Sequence, residues 1–445
     1  MDRNDTIAAM ATAPGKAGIA VVRVSGPDAF AVAERLVGFR PQPGRFRLAK
    51  VRGNGRLPGA AIDMALVLAF AKPRSYTGED VVEFQCHGGS VTPRRVLEAC
   101  FTAGARLARR GEFTERAFLN GKLDYEQAES VLALINAKTE RAADDALEGL
   151  EGRGRREARE LYDFALNVSS TLEHSLDVSE EELPDGFLES VSEMMSQLDN
   201  RLGAAVVRLK QGKLLREGAL VVLAGPPNAG KSSLMNALLG ENRAIVSERP
   251  GTTRDSIEEW LDVGGYPVRL VDTAGMRKAD DEVEAEGVRR TEALVSKADI
   301  VLRLTPADGI GTELPPEVAN APGGVIEVLA KSDLLAEGSA KGGIAVSAKT
   351  GFGLDHLRQE IASRLERTAA SCEKEHCEGE NAISVLLEAR ETLRPFVSAS
   401  CTPSPDLVLS ANAVRNVATK LGELTGATYS DDLLDRLFSR FCVGK

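Results

Sequence analysis

Gly225-Pro226-Pro227-Asn228-Ala229-Gly230-Lys231-Ser232 is the stretch on which the reading of this chain turns. It has the spacing G-x-x-x-x-G-K-S. It follows a continuous apolar run, LVVLA at 220–224, and opens a helical pattern, which is the strand–turn–helix context the motif needs. Backbone N–H groups of such a loop, at the N-terminus of a helix, cradle phosphate oxygens. Lys231 is expected to reach the β- and γ-phosphates of a nucleotide, and the Ser232 hydroxyl to ligate Mg2+. Outward from the loop the pattern keeps alternating. VRLVDTAG at 268–275, DIVLRL at 299–304, VIEVLAKSD at 325–333 and IAVSAK at 344–349 are short apolar runs separated by helical patterns. Such alternation predicts a mostly parallel sheet with helices on both faces, over about 216–370.

Three further segments choose the nucleotide. Asp272-Thr273-Ala274-Gly275 ends a predicted strand, so Asp272 is expected to bind Mg2+ through water and the Gly275 amide to meet the γ-phosphate. Pro250-Gly251-Thr252-Thr253-Arg254-Asp255 lies between the P-loop and that strand, where a switch loop supplies a threonine to Mg2+. Lys331-Ser332-Asp333 and Ser347-Ala348-Lys349 close the set. The Asp333 carboxylate accepts two hydrogen bonds from guanine N1–H and N2–H2. Adenine has no such donor pair and would leave a carboxylate unmatched. Each short motif is weak alone, but in this order they are the parts of a GTP site. Two departures matter. GTPases of this pattern usually have Asn-Lys-x-Asp, and here Ala330 stands in place of the amide, so weaker affinity is expected. Met276 follows Gly275 where many GTPases place a water-orienting Gln. The acidic run Asp280-Asp281-Glu282-Val283-Glu284 offers a carboxylate instead, yet acidic residues also favour helix starts, and spacing alone leaves both readings open.

The flanks belong to other architectures. At 445 residues the chain has room for about three domains. Hydrophobic residues make up 43% and charged residues 27%, which excludes a largely disordered chain. A net charge of −11 excludes a uniformly basic nucleic-acid coat, and 4% aromatics disfavour a surface of base-stacking rings. Six cysteines follow no repeating spacing, so no disulfide framework is expected. Cys372, His376 and Cys377 lack a matching second pair of metal ligands. MDRND is not the basic start of a targeting peptide, and no apolar run reaches the ~20 residues of a membrane span, so a cytoplasmic location is expected.

Residues 1–120 mix strand runs with helices starting near Thr92 and Thr114, an α+β domain. Over 121–215 long helices take over, with Leu161, Ala165, Val168, Leu172 and Leu176 on one apolar stripe, a break at EEELPDGF and a restart at SVSEMMSQL. A polar linker is expected at 369–381, after which the helical period returns; the second part of the helical domain is bounded at 371–445. The simplest picture is a multidomain α/β chain: an N-terminal α+β domain, a discontinuous helical domain, and a Ras-like P-loop GTPase domain inserted in it.

GPPNAGKSSLMN, PGTTRD, DTAGMR and SAKTGFGL resemble bacterial translation-factor-related GTPases with a hydrophobic residue after DTAG. The ends narrow this. DTIAAMATAPGKAGIAVVRVSGP, SYTGEDVVEFQCHGG, RRGEFTERAFLNGKLD and the tail FCVGK resemble the tRNA-modification GTPase family MnmE, also called TrmE, over essentially the whole chain. That resemblance implies an N-terminal folate-binding and dimerising domain and a homodimer. It implies a flavin (FAD)-containing MnmG-like partner in a heterotetramer, and tRNA as substrate without any membrane. The product is an aminomethyl or carboxymethylaminomethyl group at C5 of the wobble uridine, position 34, with the carbon from formyl- or methylene-tetrahydrofolate. It also implies K+-activated GTP hydrolysis.

By the same resemblance, Asn228, Ser247, Arg249 and Thr252 match K+ ligands, Arg249 through its carbonyl. Ser232 and Thr253 match Mg2+ ligands, and Glu284 the carboxylate that orients the attacking water beside Lys231. The expected GTP contacts are Asn228, Ala229, Gly230, Lys231, Ser232, Ser233, Ser247, Glu248, Arg249, Pro250, Gly251, Thr252, Thr253, Asp272, Thr273, Ala274, Gly275, Lys331, Asp333, Ser347, Ala348 and Lys349. Arg23, Glu83, Lys122 and Lys445 match folate-binding positions: a pterin offers amide-like donors to a carboxylate, and a glutamate tail needs cations.

Cys442 is read either as a thiol nucleophile or, with more weight, as a small buried residue near the folate. His87 beside Cys86 is read as a turn histidine rather than half of a thiol–imidazole pair. Arg106, Arg109, Arg110 and Arg116, and then Arg153, Arg155, Arg156 and Arg159, are two basic runs that either meet RNA phosphates or form solvated faces. The alternative function is a GTP-controlled ribosome-assembly switch. Such proteins share PGTTRD and DTAG but usually append a basic RNA-binding domain.

Overall fold

The computed structural model describes residues 5–53, 60–176, 183–226, 228–240, 258–272, 297–306, 321–334, 342–370, 381–399, 406–425, 434 and 437–445. The chain forms two compact units. The first gathers Met1–Leu132, Gly149–Gly152 and Thr428–Lys445, the second Ala133–Glu148 and Arg153–Ala427.

In chain order the first elements are β1 (Ile7–Met10), β2 (Ile19–Ser25), α1 (Ala29–Val37), β3 (Phe46–Arg52), β4 (Ala61–Phe70), β5 (Val81–His87), α2 (Thr92–Thr102), β6 (Arg106–Leu107) and α3 (Glu112–Leu119), followed by α4 (Tyr125–Asn136) and α5 (Glu140–Leu150). The strands of the first unit make one sheet in the order β3-β4-β5-β2-β1-β6, antiparallel except for the β1–β6 pair. Every second residue points to one face, and here that face is apolar: Ala20, Val22 and Val24 of β2, Val82, Phe84 and Cys86 of β5, Ala65, Val67 and Ala69 of β4. Helices α1 and α2 cover it with Phe30, Val32, Leu36, Val96 and Cys100. Each large apolar side chain so buried contributes about 2 kcal/mol. The opposite face carries a row of register partners, Phe46, Leu68, Glu83, Arg23 and Ala9, one from each of five strands.

Residues near 440 return to this unit. Val443 bridges to Arg110, and the Gly111 and Phe113 amides donate to the carbonyls of Cys442 and Lys445 at 3.4 and 3.2 Å. Phe438 and Phe441 pack with Ala128, beside Phe118. Gly444 is required here: its φ is +105°, and a Cβ would stand 2.1 Å from the Met10 carbonyl oxygen.

The second unit contains α6 (Arg153–Leu176), α7 (Phe187–Glu217), β7 (Ala219–Ala224), α8 (Lys231–Gly240), β8 (Glu258–Val263), β9 (Tyr266–Asp272), β10 (Ile300–Pro306), β11 (Val325–Ala330), β12 (Ile344–Ala345), α9 (Leu354–Ala370), α10 (Asn381–Ala399) and α11 (Leu407–Thr425). Leu161, Ala165, Val168 and Leu172 of α6 share one core with Leu198 and Leu202 of α7, Leu386 and Leu393 of α10, and Val414 and Leu421 of α11. The helical domain is therefore discontinuous, its core built from both sides of the 219–370 segment. Leu176, expected on the stripe, is exposed. At 3.6 residues per turn the buried position there falls on Ser175, whose hydroxyl donates to the Leu172 carbonyl.

The second sheet runs β12-β11-β10-β7-β9-β8, parallel except for the β8–β9 hairpin. All six residues of β7 are buried, alternately in the cores on the two faces. This is the mostly parallel, doubly covered sheet that the alternation predicts. Among the described residues strands β3 and β8 lie at sheet edges, and their apolar signal is thin. Helix α9 includes Ala369 and Ala370, which the sequence assigns to a linker, because Ala369 is buried on the same face as Leu365. Of the segment 371–445, α10 and α11 belong to the second unit whereas Thr428–Lys445 groups with the first.

Candidate functional site

β7 is the first strand of its sheet, yet it stands in the middle. The chain fills β8 and β9 on one side and β10 to β12 on the other, so the P-loop leaves β7 where strand order reverses, the ligand-binding end of such sheets. Gly225 (φ +152°) could carry no side chain, since a Cβ would meet the Leu304 carbonyl oxygen at 2.5 Å. Asn228 takes the left-handed conformation at φ 63°. Lys231 is buried at 5% exposure, and its Nζ donates to the Gly225 and Pro226 carbonyls at 2.8 and 2.9 Å. A phosphate oxygen carries full charge and is the stronger acceptor for that ammonium. Ser232 Oγ donates to Asp272 Oδ2 at 2.6 Å, joining the start of α8 to the end of β9. A hydroxyl beside a carboxylate is the hard-oxygen pair that Mg2+ takes, so these two residues fit the ion.

The base-reading loop follows β11. Lys331 turns the chain at φ 58°, and the short 3-10 turn Ser332–Leu334 presents Asp333. Ser347 is fully buried and donates to Asp333 Oδ1 at 2.7 Å. That hydroxyl, with the Lys349 and Lys331 charges, holds the Asp333 carboxyl below its ordinary range. The structure thus brings together Lys331, Asp333, Ser347 and Lys349. Ala330, 4% exposed, belongs to the same apolar cluster as Ala229 of the P-loop, so apolar packing occupies the position where an asparagine amide is usual. Ser247, Glu248, Arg249, Pro250, Gly251, Thr252, Thr253, Thr273, Ala274, Gly275 and Glu284 lie outside the described residues.

A second site occupies the polar part of the first unit's open sheet face. Arg23 Nε donates to Glu83 Oε1 at 2.8 Å across β2 and β5. The Arg23 guanidinium lies 5.4 Å from the Tyr76 ring centroid and 5.7 Å from that of Phe113. Burial and the Arg23 charge lower the Lys445 pKa, against the pull of Glu83 and Cys442. Arg23 and Lys445 thus both lie in the field of the Glu83 carboxylate, to which Arg23 is bonded. Lys122 flanks the neighbouring loop, its Cγ 3.2 Å from the position a Gly78 Cβ would take. Sequence reasoning gave Tyr76 and Phe113 no role, although both lie in stretches quoted for the resemblance, because their partner Arg23 is distant in the chain.

Several expectations change. The Arg106–Arg116 run is not a free basic patch. Arg116 is 8% exposed and donates to Asp5, Glu79 and Glu112, and Arg106 pairs with Asp5 and Glu112. Burial alone would raise the Glu112 carboxyl, but the Arg106 hydrogen bond, the Arg109 amide and both arginine charges bring it to about 2. Arg109 pairs with Glu115, Arg153 with Asp145 and Glu148, and Arg159 with Asp163. Arg110, Arg155 and Arg156 are exposed. His87 Nδ1 meets Asp63 Oδ1 at 2.8 Å, while Cys86 is buried with its thiol on the Ala20 carbonyl, so the two form no catalytic pair. Cys442 is exposed rather than buried, since the backbone of its turn, not its side chain, packs against Gly111. No group of three or more His, Cys, Asp or Glu side chains suited to a metal occurs among the described residues. Cys372, His376 and Cys377 lie outside those residues.

A family model described as the GTP-binding protein TrmE N-terminus matches residues 6–122, and one described as the MnmE helical domain matches residues 126–442. The tRNA modification GTPase MnmE of Symbiobacterium thermophilum is 43% identical, covering 99% of this chain and 99% of its own. Proteins of the same name from Alkalilimnicola ehrlichii (42%, 99% and 99%) and Neisseria meningitidis serogroup C (41%, 100% and 100%) are similar over the same extent.

Proposed function

The chain belongs to the MnmE family of tRNA modification GTPases, and on that premise we propose that it is a K+-activated GTP hydrolase of tRNA modification. With a flavin-containing, MnmG-like partner it adds an aminomethyl or carboxymethylaminomethyl group to C5 of the wobble uridine. The carbon comes from formyl- or methylene-tetrahydrofolate. The observation that carries the nucleotide half is the Ser232–Asp272 contact beside the buried Lys231, at the C-terminal ends of β7 and β9.

In this reading the P-loop amides and Lys231 bind the phosphates, and Asp333, fixed by Ser347, selects guanine. Ser232 and Thr253 would hold Mg2+. Asn228, Ser247, Arg249 and Thr252 would hold K+, which supplies positive charge against the charge developing on the phosphoryl oxygens. Glu284 orients the attacking water, a task that Met276 has no polar group to perform. Arg23, Glu83, Lys122 and Lys445 would bind the folate, a carboxylate being suited to accept from pterin donors and cations to a glutamate tail.

A homodimer through the first unit is supported by the open sheet face. Phe46, Leu48 and Met64 are 74, 62 and 44% exposed there, on the same face as Glu83 and Arg23. A second copy would cover that apolar surface. No helix among the described residues is long and apolar enough to cross a membrane. We place the protein in the cytoplasm, where tRNA is.

The test is GTP hydrolysis in matched K+ and Na+ buffers, wild type beside Glu284→Ala. Strong stimulation by K+, lost in the variant, is expected. Equal slow rates in both salts, untouched by the substitution, would sink the cation-activated mechanism for this chain.

A further inference from the structure

The loop between β4 and β5 carries no residue assigned to a ligand, yet it is tied down from three directions. Glu79 accepts from Ser25 Oγ at 2.7 Å and from the Arg116 guanidinium at 3.1 Å. The Thr77 carbonyl accepts from Asn120 Nδ2 at 2.7 Å. Tyr76 OH meets Thr114 Oγ1 at 2.9 Å. Arg116 is in turn held by Asp5 and Glu112. These part-buried bonds, the two to Glu79 charge-assisted, fix the loop against its neighbours.

What the loop presents is one ring. Tyr76 stands against the Arg23 guanidinium, and Phe113 approaches the same cation. Arg23 has a single hydrogen bond to Glu83, through Nε, and one bond leaves a guanidinium free to pivot about it. Two aromatic faces remove that freedom, because a cation is held electrostatically against the electron-rich face of a ring.

We infer that Tyr76 is a positioning residue of the folate site: its ring fixes the plane of Arg23, and the Glu79–Arg116 pair fixes the ring. This rests on the folate reading of the Arg23–Glu83 pair for its ligand, but not for its geometry. Tyr76 acts on the ligand through Arg23, as a preformed shell does when it lowers the cost of ordering a binding group.

Two measurements test it on the full chain. The first is calorimetric binding of 5-formyltetrahydrofolate by wild type, Tyr76→Leu and Tyr76→Phe. Loss of the ring is expected to weaken binding about tenfold, and Tyr76→Phe to stay within about twofold of wild type. The second is hydrogen exchange at Arg23 Nε–H, by NMR of arginine-labelled protein. Exchange is expected to quicken about tenfold in Tyr76→Leu and to stay unchanged in Tyr76→Phe. Wild-type folate affinity in the leucine variant, or equal losses in both variants, would overturn the proposal. If the wild type itself binds no folate, the folate reading fails, and Arg23 exchange alone decides: faster exchange upholds the positioning role, unchanged exchange ends it. Should Tyr76→Leu not fold, Glu79→Gln keeps both rings while loosening the loop, and unaltered Arg23 exchange there is equally decisive against it.

Discussion

In the sheet of the second unit the chemistry stands at strand ends, whereas in the sheet of the first it stands on a strand face. β7 and β9 are almost wholly buried on both sides, so binding falls to the loops beyond them and to Asp272 at the very end of β9. β2 and β5 are buried on one side only, so Arg23 and Glu83 reach out from mid-strand and hold each other. Loop sites recruit backbone N–H groups and glycines, which leave a contiguous motif. Face sites recruit side chains from paired strands, which leave none.

The largest effect that separates the two is expected from Lys231→Ala. GTP turnover should fall on the order of a thousandfold, as when a preorganised donor to a transition state is removed. Folate binding in the first unit should stay at its wild-type value. A folate affinity that fell together with turnover would break the separation of the sites.

Second in size is an acid-stability effect confined to the first unit. The folded Glu112 carboxyl lies near 2, below its ordinary 4.5. A depressed carboxylate stabilises the fold fully above about 4.5 and loses that contribution as pH falls toward 2. On the order of 3 kcal/mol is at stake. Glu112→Gln should therefore flatten the fall of the unfolding midpoint between pH about 4.5 and 2, while lowering stability at neutral pH. A midpoint that falls with pH just as in the wild type would remove Glu112 from the account.

The smallest effect sharpens the comparison within the loop site itself. Ala330→Asn supplies the missing amide at the end of β11 and should tighten GDP about tenfold in a fluorescent-nucleotide competition. Unchanged affinity would mean that the apolar packing around Ala330 already braces the site as well as an amide would.

What was legible in the sequence follows the same division. The P-loop could be read in full because strand, turn glycines, lysine and helix are consecutive, and Asp272 and Asp333 could be placed because each closes an apolar run. On the face of the first sheet, Arg23 and Glu83 lie 60 residues apart and Arg116 and Asp5 lie 111 apart. Local pattern cannot supply such pairs. The cluster Arg106, Arg109, Arg110, Arg116 left a phosphate-binding surface and a solvated face equally open because its positive members are neighbours in sequence. Two of its carboxylate partners, Asp5 and Glu79, come from elsewhere in the chain. Leu176 and Ser175 show the limit of helical periodicity: one residue of phase decides which is buried.

The contact of Gly444 with Met10 has a consequence for the order in which the protein is made. At typical rates of synthesis, tens of seconds separate the emergence of Met10 from that of Gly444. The sheet containing β7 needs only residues between 219 and 345 and pairs its strands while translation continues. The strands of the sheet containing β1 all lie within residues 7–107, but the segment that packs beside it, 437–445, is synthesised last. Until residues 437–445 arrive, the Arg110 backbone and the pocket for Phe441 stay open to whatever the nascent chain meets. The first unit is thus the earliest to emerge and the last to receive all of its packing partners.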